Sequence, residues 1–147
     1  MRRREVLLVA CLGGIGLVTA GRRPAQGTGF DPVAVIRELT GKVATASDRV
    51  RLQMPPSFPT GYTVPVDLDV ASPMTEEDHV RHILLIAPRN PIIEVARFRF
   101  SLQCGEARVS TRIRLAAPQF VLAAAEMSDD TLLMASTWVA VATDGCQ

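Results

Sequence analysis

The first candidate for chemistry in this sequence is a cysteine near its end, in the stretch "VAVATDGCQ". At that place Cys146 can hardly be buried. If the last strand ends near Val141, five further residues at ~3.3 Å each carry the sulfur roughly 16 Å beyond the sheet. Such reach suits a thiol that must enter another protein's active site, and the chemistry then belongs to the partner. An ordinary thiol, with a pKa of about 8.5, is only a few per cent ionised at pH 7. Asp144 and the terminal carboxylate of Gln147 each put a negative charge ~7 Å away, which costs the thiolate about 0.6 kcal/mol apiece in water. Cys146 is therefore expected to be a slightly sluggish nucleophile until a partner activates it, with Gly145 giving the arm local freedom.

Other chemistry-bearing residues fall into three groups. Cys104 stands in an expected turn, and with Cys146 it permits one internal disulfide. His79 and His82, preceded by Glu76, Glu77 and Asp78, have the residue types of a metal site. Their spacing shares a face only on a helix, whereas this segment runs from a turn into a strand that points the imidazoles oppositely, so a solvated acidic turn competes with the metal reading. Arg97, Arg99, Arg108, Arg112 and Arg114 form either an anion-attracting patch for a partner or the solvated, edge-blunting face of a sheet. A Ser/His/Asp order, a glycine-rich phosphate loop and a CxxC pair are all missing, which argues for a non-catalytic chain with no catalytic residues, cofactor or metal of its own.

The elements that position these groups begin with a leader. "MRRREVLLVACLGGIGLVTAG" has a basic start, an apolar stretch from Val6 to Val18 and small residues before Gly21, the layout of an export signal over 1–20. Arg3 and Arg4 followed by "EVLL" resemble the twin-arginine pattern, with ordinary secretion as the alternative. The stretch is short for a span of ~20 residues, so no membrane anchor is expected after cleavage. Cleavage removes Arg2, Arg3, Arg4 and Glu5 from 16 basic and 15 acidic residues, leaving a net charge of about −1, and takes Cys11 with it. No clustered positive charge remains for nucleic acid. The two remaining cysteines then lie in an oxidising compartment, the periplasm.

After a linker over 21–29, "FDPVAVIRELTGK" reads as a short helix with Asp31 as N-cap, Pro32 in the first turn and Gly41 closing it, with Val33, Ile36 and Leu39 near one face. From Val50 onward the text is strands and turns. "TVPVDLDV" sets Val64, Val66, Leu68 and Val70 against Pro65, Asp67 and Asp69. "HILLIA" is an apolar run, and "EVARFRFSLQ" and "ARVSTRIRL" alternate across a turn at Cys104 and Gly105, so that Phe98 to Leu115 reads as a hairpin with an arginine-studded outer face. "QFVLAAAEM" and "LLMASTWVAVAT", separated by "SDD", add two strands. Six or seven short strands at this spacing point to an all-β, immunoglobulin-like antiparallel sandwich over 30–142, followed by an arm over 143–147.

From about Phe30 to Cys146 the sequence resembles SoxY, the sulfur-carrier family of periplasmic thiosulfate oxidation. The resemblance rests on "VPVDLDVASPMTEEDHVRHILLIAPRNP", "VARFRF", "ARVSTRIRLA", "VLAAAEMSD" and the late cysteine, in that order. It implies a sandwich paired with a SoxZ-like subunit, with Cys146 as the covalent carrier. The partners it implies are a haem enzyme that in that family couples thiosulfate to the cysteine, a hydrolase that releases sulfate, and a sulfane dehydrogenase for the remaining sulfur. The family's usual arm is Gly-Gly-Cys-Gly-Gly, whereas here Asp144, Gly145, Cys146 and Gln147 stand. Asp144 adds bulk and a charge that repels an anionic cargo. SoxY-like carriers associated with quinoprotein dehydrogenases, and a structural subunit whose Cys104 and Cys146 pair, are the alternatives.

Overall fold

In the computed structural model, residues 29–142 are described. The leader 1–20, the linker through residue 28, and the arm with Gly145 and Cys146 lie outside the described residues. The folded unit starts at Asp31. There the Asp31 carboxylate accepts the Val33 N–H at 2.9 Å and Pro32 enters the first turn of helix α1, Pro32–Thr40. Gly41 ends the helix at φ 73°, a conformation that a Cβ resists, and donates its N–H to the Arg37 carbonyl. Of the three residues expected on one face, Ile36 is fully buried and Val33 half-buried, but Leu39 is exposed. The helix docks by its middle turn alone.

Nine strand segments follow among the described residues: β1 Thr45–Ala46, β2 Val50–Gln53, β3 Ser57–Phe58, β4 Val64–Val70, β5 Val80–Ile86, β6 Glu94–Arg99, β7 Ala107–Ile113, β8 Gln119–Met127 and β9 Leu132–Val141. They form a sandwich of two unequal sheets. The larger runs β1-β9-β8-β5-β6, with β3 also on β9, and the smaller runs β2-β4-β7. Every ladder is antiparallel except the two-residue parallel pairings of β1 and β3 with β9. Those pairings make the larger sheet mixed at that edge.

Alternation sets the core. Val64, Val66, Leu68 and Val70 of β4 face Ile83, Leu85, Val121, Ala123 and Ala125 of the larger sheet, and all are buried. The continuous apolar runs of β5 and β8 bury their second face as well: Leu84, Ile86, Leu122 and Ala124, with Met134 of β9, have almost no exposed surface. Lys42, just past α1, reaches Glu126 of β8 at 3.4 Å, which places the N-terminal segment over this outer face. The alanine run of β8 is thus a strand covered on both sides.

The expected hairpin from Phe98 to Leu115 does not form. β6 pairs with β5 in the larger sheet and β7 with β4 in the smaller. Between them a single 3-10 turn, Leu102–Cys104, and Gly105 at φ 70° carry the chain from one layer to the other. Both strands alternate because each has one wet face. The arginines are therefore divided, with Arg97 and Arg99 outside the larger sheet and Arg108, Arg112 and Arg114 outside the smaller.

Candidate functional site

The described chain ends at the root of the arm, and that root is held on both sides. Toward β8, β9 pairs as far as Gln119↔Val139. Beyond that point β3 takes over on the other edge: Ala140 N–H donates to the Pro56 carbonyl at 3.0 Å and Ala142 N–H to that of Phe58 at 3.2 Å. Val139 and Val141 bury their side chains in the core. Cys146 is the fourth residue after Ala142, so covalent geometry alone keeps its Cα within about 14 Å of that point.

A polar network that the sequence reading missed stiffens this end of the sandwich. Gln119 is the one buried polar or charged residue among those described, 1% exposed. Its Oε1 accepts the Arg89 N–H at 2.8 Å, and its Nε2 donates to Asn90 Oδ1 at 3.0 Å and to the Ala117 carbonyl at 3.2 Å. Asn90 Oδ1 also accepts the Ala116 N–H, while Asn90 Nδ2 donates to the Arg114 carbonyl. Asn90 belongs to "APRNP", which thereby gains a physical role. Its side chain ties the β5–β6 loop to the β7–β8 loop, and Gln119 ties both to the strand beside the arm root.

The other distinctive block, "SPMTEEDHV", closes the opposite end. Arg49 Nη2 donates to both carboxylate oxygens of Asp78 at 2.8 Å, Ser72 Oγ donates to the Asp78 carbonyl, and Ser128 Oγ accepts the His79 N–H and donates to the Glu77 carbonyl. His79 Nδ1 contacts the Thr75 carbonyl oxygen at 2.8 Å, which engages it in the turn itself. His82 lies on β5, 3.7 Å from Glu126, amid Lys42, Arg81 and Asp130. Burial lowers its pKa; Glu126 pulls the other way, and Arg97, Arg99 and Lys42 lower it further. The two imidazoles do not converge, and among the described residues no three His, Cys, Asp or Glu side chains are grouped to hold a metal.

Cys104 is fully exposed on the 3-10 turn. Hydrogen bonds from the Ser101 backbone, then from its hydroxyl 3.7 Å from the sulfur, hold the thiol below its ordinary pKa. Its distance from the arm root bears on any pairing with Cys146 of the same chain. Arg99, His82, Glu126 and Leu132 are in register across β6, β5, β8 and β9, and Cys104 lies beyond that level, because Phe100 N–H already bonds the Arg81 carbonyl. Val141 is at the far end of β9, about 30 Å along the strand and three gaps, about 14 Å, across the sheet. Five residues from Val141 span at most about 18 Å, and a disulfide adds at most about 7 Å between Cα atoms. On this flat-sheet reckoning the reach is about 8 Å too short, so an internal bridge is not expected.

The unequal sheets also leave one flank open. β6 and β7 are edge strands of different sheets, and between them is a cleft of about 470 Å³ floored by Val95, Ala96 and Phe98 and walled by Thr111 and Ile113. Ile92, 75% exposed, stands at its mouth. The Glu94 carboxylate on the rim is bound by Arg97 at 2.9 Å, and that hydrogen bond holds it below its ordinary pKa.

The family described as "Sulfur oxidation protein SoxY" matches residues 36–146, a span that includes Asn90, Gln119 and Cys146. Among solved structures, the sulfur carrier protein SoxY from Chlorobium limicola f thiosulfatophilum superposes with TM-score 0.60 at 22% identity, covering 74% of this chain and 93% of that one. A putative superoxide reductase from Thermotoga maritima gives TM-score 0.56 at 21% identity over 67% of this chain and 93% of its own. A superoxide reductase (neelaredoxin) from Ignicoccus hospitalis gives 0.56 at 18% over 63% and 79%. At these identities the structures share a fold and nothing finer. No curated protein matches the chain. Among the described residues no helix is long and apolar enough to cross a membrane.

Proposed function

The chain belongs to the SoxY family of sulfur-oxidation carriers, and from that premise we propose that it is a periplasmic, non-catalytic subunit that holds sulfur intermediates covalently on Cys146. What supports this reading is one relation: the family match runs to Cys146, whereas the last backbone bond of the sandwich among the described residues is made at Ala142. A short arm on a clamped root gives a thiol a fixed origin and a bounded reach. Gly145, next to the cysteine, supplies the narrow backbone that a partner's channel requires.

The chemistry balances with the partners that the family implies. A haem enzyme takes two electrons as the Cys146 thiolate and thiosulfate join through a new S–S bond, leaving a cysteine S-thiosulfonate. Water then cleaves its terminal S–S bond: sulfate and two protons leave, and a persulfide anion stays on Cys146. A sulfane dehydrogenase oxidises that outer sulfur, and a SoxZ-like sandwich accompanies the carrier throughout. Asp144 sits two residues before the sulfur and opposes the approach of a dianion, so coupling is expected to be slower than on a glycine arm and to quicken with ionic strength.

The test is a reconstituted thiosulfate-oxidising system with mass spectrometry of unreduced protein. Thiosulfonate and persulfide adducts confined to the peptide ending "DGCQ" are expected, with turnover abolished in Cys146→Ser while its unfolding curve stays unchanged. Turnover by Cys146→Ser at the parent rate refutes the reading.

A further inference from the structure

The smaller sheet stops one strand short of covering the larger, and the vacant place has a chemical signature. Val109, Thr111 and Ile113 of β7 face the core, while Arg108, Ser110 and Arg112 face out. On the β4 side the outward residues meet Asp69 opposite Arg108 and Asp67 opposite Ser110, whose hydroxyl donates to it. Opposite Arg112 stands Pro65, which offers neither charge nor acceptor side chain. Among the described residues Arg112 makes no ion pair, and Arg114 beyond it, 5.8 Å from the Tyr62 ring centroid, has no carboxylate partner. The only acid among the described residues that line the cleft, Glu94, is already held by Arg97.

A strand added to the free edge of β7 meets two demands at once. Its inward residues lie over Val95, Ala96, Phe98 and Ile92, which favours apolar side chains. Its outward residues stand across from Arg112 and Arg114, where an opposite charge contributes and a like charge repels. Edge addition supplies backbone hydrogen bonds, and alternate side chains supply specificity.

We propose that the β7 edge and the cleft over β6 are a docking site for an extended segment of a partner protein in which apolar and acidic residues alternate, completing the smaller sheet as a fourth strand. The inference rests on the carrier reading only in expecting a partner subunit, and it is independent of Cys146.

The test uses the full chain labelled with 15N and two blocked octapeptides, one alternating valine with glutamate and one alternating valine with lysine. Titration of the first is expected to give saturable amide shifts confined to Ala107–Ile113 and Glu94–Arg99, with slowed amide exchange along β7. Its affinity should exceed that of the lysine peptide at least tenfold at low salt. Arg112→Glu should invert that preference. Ile92→Asp, at an exposed position that leaves the core intact, should weaken the valine–glutamate peptide about tenfold. Cys146→Ser should bind as the parent does, so loss of carrying and loss of docking are read separately. Absence of saturable shifts at millimolar peptide, shifts centred on the β2 edge, equal affinity for both peptides, or an Ile92→Asp variant that binds undiminished each overturn the proposal.

Discussion

Oxidising the chain without its leader, and so without Cys11, tests the placement of Cys104 and Cys146 directly. Cys104 and Val141 are about 33 Å apart when the 30 Å along β9 is combined with the 14 Å across the sheet, and the arm and a disulfide together span about 25 Å. Diamide at micromolar protein should therefore give no monomer two mass units lighter than the reduced chain; any oxidised species should be a cross-linked pair whose yield rises with protein concentration. The same geometry fixes a second observable. An internal Cys104 to Cys146 bridge would close a loop of about 40 residues and stabilise the fold by about 4 kcal/mol in the chain-entropy account. Cys104→Ser should instead leave the denaturant midpoint of unreduced protein unchanged within error. A bridged monomer, or a loss of several kcal/mol on that substitution, would refute the reach argument and restore the structural-subunit alternative.

Three further outcomes follow from the described contacts. Gln119→Met keeps volume but leaves the Arg89 N–H and part of Asn90 unpaired, and should cost about 1–3 kcal/mol in urea unfolding with an unchanged m-value. His82 has its pKa depressed in the fold, so its contribution is present above the unfolded value near 6.5 and is lost as pH falls through the lower folded value. Stability measured across that window should decline on acidification, and the decline should flatten in His82→Gln. Cys104, lowered by its Ser101 hydrogen bonds, should alkylate with iodoacetamide at lower pH than an unperturbed thiol, and Ser101→Ala should move the profile upward, with Cys146→Ser as the background.

The parts of this fold that were legible in sequence are those governed by neighbours along the chain. Asp31, Pro32 and Gly41 mark the helix because cap and stop are local. The β4 alternation marks a half-wet strand because period two is local as well. Which strand pairs with which is not local, and the hairpin reading failed there: a turn between two alternating strands looks the same whether the chain doubles back or changes layers. The two-residue strands β1 and β3 are too short to carry any period, although β3 clamps the arm root. Asn90 and Gln119 escaped because each looks like an ordinary loop or strand-end polar residue. Their pairing across 29 positions makes them a joint, and only burial exposes it. The hold of β3 on the strand end that precedes the arm was not legible either.

On the proposed carrier and docking readings, the two ends of the sandwich and its open flank constrain how partners share the chain. The cleft begins at Asn90, whose side chain reaches the Arg114 carbonyl just past β7 and Gln119 beside the arm strand, so a strand docked on β7 abuts the end from which the arm departs. It does not cover that end, because β9 lies three strand gaps, about 14 Å, from β6. With Cys146 tethered within about 14 Å of Ala142, an enzyme must bring its reacting group to the surface formed by the loops around Pro56, Arg89 and Pro118. A permanent subunit on the flank and a succession of enzymes at the end can then be bound without competing. If docking of the valine–glutamate peptide instead slowed thiosulfate coupling to Cys146, flank and end would overlap, and a single partner at a time would be the rule.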